Sequence, residues 1–136
     1  MKIKTLLSVV MLAVAFTCVG CKKSDEVQSC SVDKTLSIQE TGWYENGSNV
    51  EDPVIYNPLE EGDVVYDENN YEIVIEFVRE YLIVLDIDGC FVEPNKDGTI
   101  NLRADSVEQI ELAAGESITL VSQTMDAGIY LTITFE

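Results

Sequence analysis

The chain has 136 residues, of which 25 are acidic and eight are basic, and it contains no histidine. Its formal net charge of −17 repels phosphate backbones, so we do not expect it to bind nucleic acid. The lack of histidine excludes histidine-based acid–base catalysis, histidine-activated nucleophiles and histidine metal ligands.

The first twenty residues have the three parts of a secretory signal peptide. Lys2 and Lys4 form a charged start, an apolar run covers residues 6–16, and small residues lead to Gly20. The apolar run is shorter than the ~20 residues that a membrane-spanning helix needs. We therefore predict that residues 1–20 are a signal that is removed, rather than a membrane helix.

Cys21 follows this signal directly. The sequence Thr17-Cys18-Val19-Gly20-Cys21 resembles the lipobox of bacterial lipoproteins, whose cysteine is lipidated and becomes the new N-terminus. The resemblance implies diacylglycerol on Cys21, usually with a further N-acyl chain such as palmitate in Gram-negative species. Two or more chains anchor a protein stably, whereas one holds it only marginally. The expected location is the bacterial cell envelope, at the outer membrane; an ordinary secreted protein cut nearby is the alternative.

The mature part would carry six basic and 25 acidic residues, a net charge of −19. We predict that residues 21–34, which are polar and charged, form a flexible tether and that residues 35–136 form one domain. Ser24-Asp25-Glu26 partly resembles the surface-export signals of Bacteroidota lipoproteins. Whether the domain faces the periplasm or the outside stays open.

Two cysteines remain in the mature chain besides Cys21. In an oxidising envelope, Cys30 and Cys90 suggest one disulfide. Closing a loop of about 60 residues would stabilise the fold by roughly 4 kcal/mol in the chain-entropy model. The alternative is two unpaired cysteines, one of them buried as a small apolar residue.

From Thr35 onward the pattern is that of short β-strands separated by turns. The range 71–77 alternates, with Tyr71, Ile73, Ile75 and Phe77 predicted on one face. Val54-Ile55-Tyr56, between two prolines, is predicted to be an edge strand. Further strands are expected near 36–39, 64–66, 81–87, 90–92, 99–102, 107–112, 117–121 and 129–135. Many short strands without an amphipathic helix predict an all-β fold, a small antiparallel β-sandwich.

The segment Asp126-Ala127-Gly128-Ile129-Tyr130 resembles the D-x-G-x-Y motif of immunoglobulin-like domains. In that family the tyrosine starts a strand and its hydroxyl bonds to nearby backbone. The resemblance covers about 20 residues. It makes immunoglobulin-like topology an open alternative for the sandwich and assigns no functional residue.

The range 93–101 resembles the calcium loop of EF-hands and dockerins. Glu93, Asn95, Asp97 and Asn101 would supply oxygen ligands, with Gly98 at the sharp turn. The last ligand position holds Ala104 instead of a carboxylate, and a hairpin turn explains the same residues. We therefore expect no metal, with calcium as a secondary hypothesis.

Aromatic residues are grouped in the first half of the domain, and Trp43 and Tyr44 are the candidate binding residues. Rigid amphipathic rings bind partner proteins and sugars alike. We expect a non-enzymatic binding, accessory or structural lipoprotein that acts on an unidentified protein or glycan. One alternative is a hydrolase using paired carboxylates such as Asp86, Asp88 and Glu93. The other is a subunit of a surface assembly, held by strand addition.

Overall fold

The computed structural model describes residues 31–136, and this part of the chain contains strands and no helix, hence none that could cross a membrane. The strands are β1 (Leu36–Tyr44), β2 (Gly47–Val50), β3 (Val54–Tyr56), β4 (Val64–Glu68), β5 (Tyr71–Arg79), β6 (Leu82–Asp88), β7 (Phe91–Val92), β8 (Gln109–Ala113), β9 (Ser117–Ser122) and β10 (Ala127–Phe135).

The strands form two antiparallel sheets, which confirms the predicted small β-sandwich. One sheet has the order β2-β1-β10-β9-β7, with β3 pairing the other half of β1. The other has the order β4-β5-β6-β8. The last strand therefore lies inside its sheet between β1 and β9, and β4 to β6 follow one another as a meander. This order differs from the ABED and CFG sheets of the immunoglobulin fold.

Tyr130 also differs from a tyrosine corner. It is the fourth residue of β10 instead of the first, and it pairs with Thr41 and Val121 in the neighbouring strands. Its ring packs against Trp43. Tyr130 is thus part of a sheet surface, and the resemblance to immunoglobulin-like domains is limited to local sequence.

Alternate side chains of both sheets fill one core between them. In β10, for example, Leu131, Ile133 and Phe135 are completely buried, as their period of two predicts. The prediction for Phe77 was wrong. A β-bulge between Ile75 and Phe77 turns Phe77 away from the core and brings Val78 into it.

A second correction concerns residues 99–102, which were predicted to form a strand. They belong to a connection of residues 93–108 that has no regular strand. The predicted turn is present, since the amide of Gly98 donates to the carbonyl of Asn95 at 2.8 Å. Thr99 and its successors have no partner strand. The segment is held instead by its own polar bonds and by Gln123, as described below.

The folded domain begins before the predicted boundary at residue 35. Val32 is buried and forms an isolated antiparallel bridge with Leu59, which is fully buried. The side-chain amide of Asn57 donates to Asp33 and to the carbonyl of Lys34. Residues 32–34 therefore belong to the domain. Cys21 and the rest of the predicted signal and tether lie outside the described residues.

The predicted disulfide involves Cys90, which is exposed between β6 and β7, and Cys30, which lies outside the described residues. Val32 precedes the Leu36 end of β1, whereas the carbonyl of Cys90 accepts from Gln123, level with the Trp43 end. The nine residues of β1 span about 26 Å. Two residues beyond Val32 reach about 7 Å. The pairing stays a prediction, and the positions of Val32 and Cys90 disfavour it.

Candidate functional site

The outer surface of the six-stranded sheet carries no charged side chain, and we call it the uncharged face. Its members are the residues that alternate with the core positions and their direct cross-strand partners, which lie on the same side of a sheet. None of them is acidic or basic: Ser37, Gln39, Thr41, Trp43, Ser48, Val50, Ile55, Ser117, Thr119, Val121, Gly128, Tyr130, Thr132 and Thr134.

The outer surface of the four-stranded sheet, in contrast, carries many carboxylates, and we call it the acidic face. Its outward positions, identified by the same alternation, include the carboxylates Asp67, Glu72, Glu76, Asp86, Asp88 and Glu111. At one end of this face Arg79 stacks on the Phe77 ring at 4.2 Å and pairs with Glu61 at 2.7 Å. The two sides of the sandwich therefore differ sharply in charge.

Carboxylates on the acidic face lie close enough to repel one another. Glu72 is directly opposite Asp88 in the β5–β6 ladder. Glu76 and Asp86 both accept from the side-chain amide of Gln109. The charge of Asp86 raises the pKa of the Glu76 carboxyl above its ordinary value.

These groups bear on the hydrolase hypothesis. Asp86 and Asp88 are exposed on the outside of β6, whereas Glu93 follows β7 in the other sheet. The three predicted carboxylates are therefore not brought together. Glu76 and Asp86 do meet, on the exposed outer surface of the sheet. Beside them, Asp86 and Asp88 line an open depression of about 470 Å³ together with Glu72 and Glu108, so the hydrolase stays a hypothesis.

Hydroxyl groups form ordered rows on the uncharged face. Ser117 and Thr134 are hydrogen-bonded across β9 and β10 at 2.9 Å, and Thr119 and Thr132 are 3.4 Å apart. The β-branched threonines have few rotamers, so the surface that they form is already ordered. A partner would lose little side-chain entropy here on binding.

Trp43 lies at one end of the uncharged face, over Gly128 of the neighbouring strand. Its ring and that of Tyr130 have centroids 6.4 Å apart and planes inclined at 52°. The indole Nε1 is buried and has no hydrogen-bond partner among residues 31–136. The ring borders a depression of about 360 Å³ lined by Thr99, Ile100, Leu102, Thr124 and Met125.

The connection 93–108 builds the outer wall of this depression. The side-chain amide of Gln123 donates to the carbonyls of Asn101 and Ala104 at 3.1 and 2.8 Å. Val92 and Val121 pair on the outer side of the sheet and are nevertheless buried, apart from the main core. Such a small second cluster is typical of sheet covered by a long connection.

The structure brings Trp43 and Tyr44, the predicted binding residues, to the same end of the sandwich. Tyr44 lies at the β1–β2 turn with half of its surface exposed. Together with Trp43 and Met125 it lines a second depression, closed by Glu45 and Asp126. Met125 is 79% exposed, which is unusual for a large apolar side chain and extends the apolar surface beyond Trp43.

The predicted calcium ligands take part in hydrogen bonds of their own loop. Asp97 accepts from the amide and hydroxyl of Thr99, and these bonds lower the pKa of its carboxyl. The amide of Asn95 also donates to Thr99, and the side-chain oxygen of Asn101 accepts from the Arg103 backbone. In residues 31–136 no three acidic or cysteine side chains are grouped so as to hold a metal. Calcium stays a hypothesis, with Glu93 the candidate outside these bonds.

The edges of the six-stranded sheet bear on strand addition. At one edge, β3 has three residues between Pro53 and Pro58, and β2 has four; at the other edge, β7 has two. Short strands and prolines are the means by which proteins block edge pairing. Beside β7, however, only Val121 and Ser122 of β9 are paired, so residues 117–120 have no partner strand on that side among residues 31–136. Strand addition at this edge stays a hypothesis.

Comparison with known proteins gives no relative: no family model matches the chain, and no match is found among curated proteins or solved structures.

Proposed function

We propose that this chain is a lipid-anchored, non-enzymatic binding protein of the bacterial envelope, and that the uncharged face is its binding surface. The observation that carries the proposal is the absence of charge from every outward position of five paired strands. The rest of the domain has enough carboxylates to place six on the opposite sheet. A surface kept only for solubility would have charges on both sides.

A protein is favoured over a glycan as the partner. Protein interfaces are marked by depletion of charge and by enrichment of aromatic residues and methionine at their core. The uncharged face has Trp43 and Tyr130, with Met125 beside them. A flat sugar platform needs coplanar rings, whereas these two planes are inclined at 52°.

The proposed binding surface runs along the sandwich from the end at which the described chain begins. Residues from Val32 onward enter the sandwich near the Leu36 end of β1, and Trp43 is at the other end. The uncharged face runs between these ends, parallel to the strands. A lipid on Cys21, joined through the predicted tether, would allow the face to be directed sideways and the Trp43 end to be directed away from the membrane.

The binding surface can be tested by photo-crosslinking in the native host. A benzophenone amino acid replaces Thr132 at the centre of the uncharged face or, as the matched control, Ala113 on the outside of β8. We expect one or a few discrete adducts from position 132 and none from position 113. Equal labelling from both positions, or none from either, would overturn the assignment of the face.

The anchor is tested separately by Cys21→Ser. The variant should move from the membrane to the soluble fraction, because it lacks the thiol that would carry the lipid. An unchanged membrane fraction would overturn the proposed lipidation without affecting the assignment of the face.

A further inference from the structure

We infer that the partner of the uncharged face is a second copy of this chain, so that two anchored domains associate side by side through these faces. The inference rests on the proposed function and names the partner that it leaves open. It follows from the distribution of charge, from the area of the face and from the position of the chain's entry into the domain.

Of the two sheet faces, charge favours the uncharged one for the approach of a second copy. A mature domain with a net charge of −19 repels its copy through the acidic face, where Glu72 and Asp88 are already opposed. With the uncharged faces in contact, four stacked sheets about 10 Å apart would separate the two acidic faces by about 30 Å. That distance is several times the screening length of about 8 Å at physiological salt. Contact through the uncharged faces thus keeps the largest repulsive terms small.

The area of the face predicts a weak, reversible dimer. The strands β1, β10 and β9, with β2 and β3 sharing one edge, cover about 19 Å across and 26 Å along the sheet. Each copy offers at most about 500 Å² of this, because the connection 93–108 covers the corner at Val121. A total of about 1,000 Å² is at the lower limit for a specific interface. The partly exposed hydroxyl rows of Ser117, Thr119, Thr132 and Thr134 fit a polar, hydrated contact of this kind.

Anchoring makes a weak contact sufficient. Two copies in one membrane are confined, which raises their effective concentration without any new contact. A two-fold axis parallel to the strands places the same face of each copy in contact. It also keeps both Val32 ends on the same side, where each chain enters its domain. Lateral pairing of anchored copies is therefore geometrically allowed.

Thr132 is the residue at which to test this contact. It pairs with Gln39 and Thr119 in the middle of the face, so a two-fold axis through the face places it near its counterpart. Thr132→Glu would set carboxylates of the two copies close together inside the interface. Ala113→Glu adds the same charge to the acidic face, and Ser48→Glu is a second interface variant at the more exposed β2.

The experiment is sedimentation equilibrium of the mature chain made soluble by Cys21→Ser. The unaltered face should give a reversible monomer–dimer equilibrium in the micromolar range. Added salt should strengthen it, because salt screens the remaining repulsion between like charges. Thr132→Glu and Ser48→Glu should each weaken association by about tenfold or more, whereas Ala113→Glu should leave it within about twofold. Circular dichroism melting identifies any variant that fails to fold.

The same pairing is tested in the membrane with two differently tagged, lipidated copies. Adducts from the benzophenone at position 132 should contain both tags. A monomer at all concentrations, with adducts of another mass, would overturn the second copy as partner and leave the binding face in place. A monomer without adducts would overturn both. A dimer that resists Thr132→Glu and Ser48→Glu would place the contact elsewhere.

Discussion

At the scale of single residues, Gly128 determines how Trp43 is seated. A β-carbon at position 128 would overlap the hydroxyl oxygens of Ser122 and Thr124 and press on the indole ring of Trp43. The Ser122 hydroxyl is held in place, because it accepts a hydrogen bond from the amide of Ile129 at 2.9 Å. Glycine is needed here for close approach, and its absent side chain is what lets the Trp43 ring lie against the strand.

We therefore predict that Gly128→Ala destabilises the domain by about 1–3 kcal/mol, the cost of overpacking a filled site. Trp43 is the single tryptophan of the chain, so its fluorescence reports the displacement directly. The control is Gly42→Ala on the neighbouring strand, where the nearest atom to an added β-carbon is the Asn49 carbonyl oxygen at 3.9 Å. Equal melting temperatures for the two variants would contradict the account.

Two glutamates on and beside the acidic face have opposite electrostatic surroundings. The charge of Asp86 raises the pKa of Glu76, whereas the hydrogen bond from Arg79 lowers the pKa of Glu61. A raised carboxyl pKa means that the folded state binds the proton more tightly than the unfolded chain. The stability from Glu76 is therefore present below its unfolded pKa and lost as the pH rises through the folded one.

Glu76→Gln should accordingly stabilise the domain at neutral pH, with a gain that shrinks as the medium is acidified. Glu61→Gln should do the reverse at neutral pH, because the stability from its lowered pKa is present above the unfolded value and lost as the pH falls through the folded one. Both groups are at the surface, so the effects should be small and reduced by salt. Urea denaturation at several pH values measures them. Equal shifts for both variants would contradict the assigned causes.

At the scale of elements, a side-chain bond joins the two sheets at the margin of the apolar core, to which Tyr66 belongs. The Tyr66 hydroxyl of β4 donates to the Glu40 carboxylate of β1 at 2.6 Å. Burial and the neighbouring Glu40 charge raise the pKa of Tyr66, which keeps it a neutral donor. Glu40 and Tyr66 line the same depression, and the bond between them holds β4 against β1.

Tyr66→Phe should cost about 1.5–3 kcal/mol, the range for a hydrogen bond to a charged group. The loss leaves Glu40 without this donor in a partly buried position. Tyr81→Phe is the matched control, because Tyr81 is 69% exposed at the β5–β6 turn and should melt like the parent. Chemical denaturation gives both values. A neutral Tyr66→Phe would show that water replaces the bond.

Sequence periodicity was sufficient to predict the core positions of strands that are paired regularly along their length. The alternation of residues 129–135 correctly predicted the core positions Leu131, Ile133 and Phe135. It failed at Phe77, because nothing in the local pattern marks the bulge that follows Ile75. It failed at 99–102 because those residues have strand-forming composition but no partner strand. A strand depends on its neighbour, which local sequence does not contain.

Only part of the candidate site could be predicted, because the rest of it depends on which strands are neighbours. Trp43 could be selected as a large aromatic residue beside a turn. The role of Thr119 and Thr132 depends on the pairing of β9 with β10, and each is unremarkable in its own segment. The available signal was the alternation of apolar residues with uncharged polar ones in β1 and β10. This alternation indicates an uncharged surface only once the structure shows that these strands are adjacent and that the carboxylates lie on the other sheet.

At the scale of the whole molecule, the separation of charge between the two faces distinguishes this sandwich from an evenly solvated domain. One sheet has outward carboxylates and the other has hydroxyls and aromatic rings. Because both faces run along the strands, the asymmetry is lateral with respect to the end where the chain enters at Val32. An anchored copy would thus present its neighbours with either a repulsive or a neutral side, which gives crowded copies a preferred relative orientation.

Labelling of the cysteine thiols tests whether Val32 and Cys90 lie at opposite ends of β1. Val32 lies beyond the Leu36 end of β1 and Cys90 is level with its Trp43 end, about 26 Å apart along the strand direction alone. A disulfide requires α-carbons within about 7 Å, and the two residues between Val32 and Cys30 add only about 7 Å of reach. We therefore expect Cys30 and Cys90 to be free, so that mass spectrometry of denatured, unreduced mature protein finds two labels per chain. Reduction first is the control for complete labelling. Two blocked thiols in a chain that runs as a monomer without reductant would instead support the disulfide predicted from sequence, and would contradict the placement of Val32 opposite Leu59.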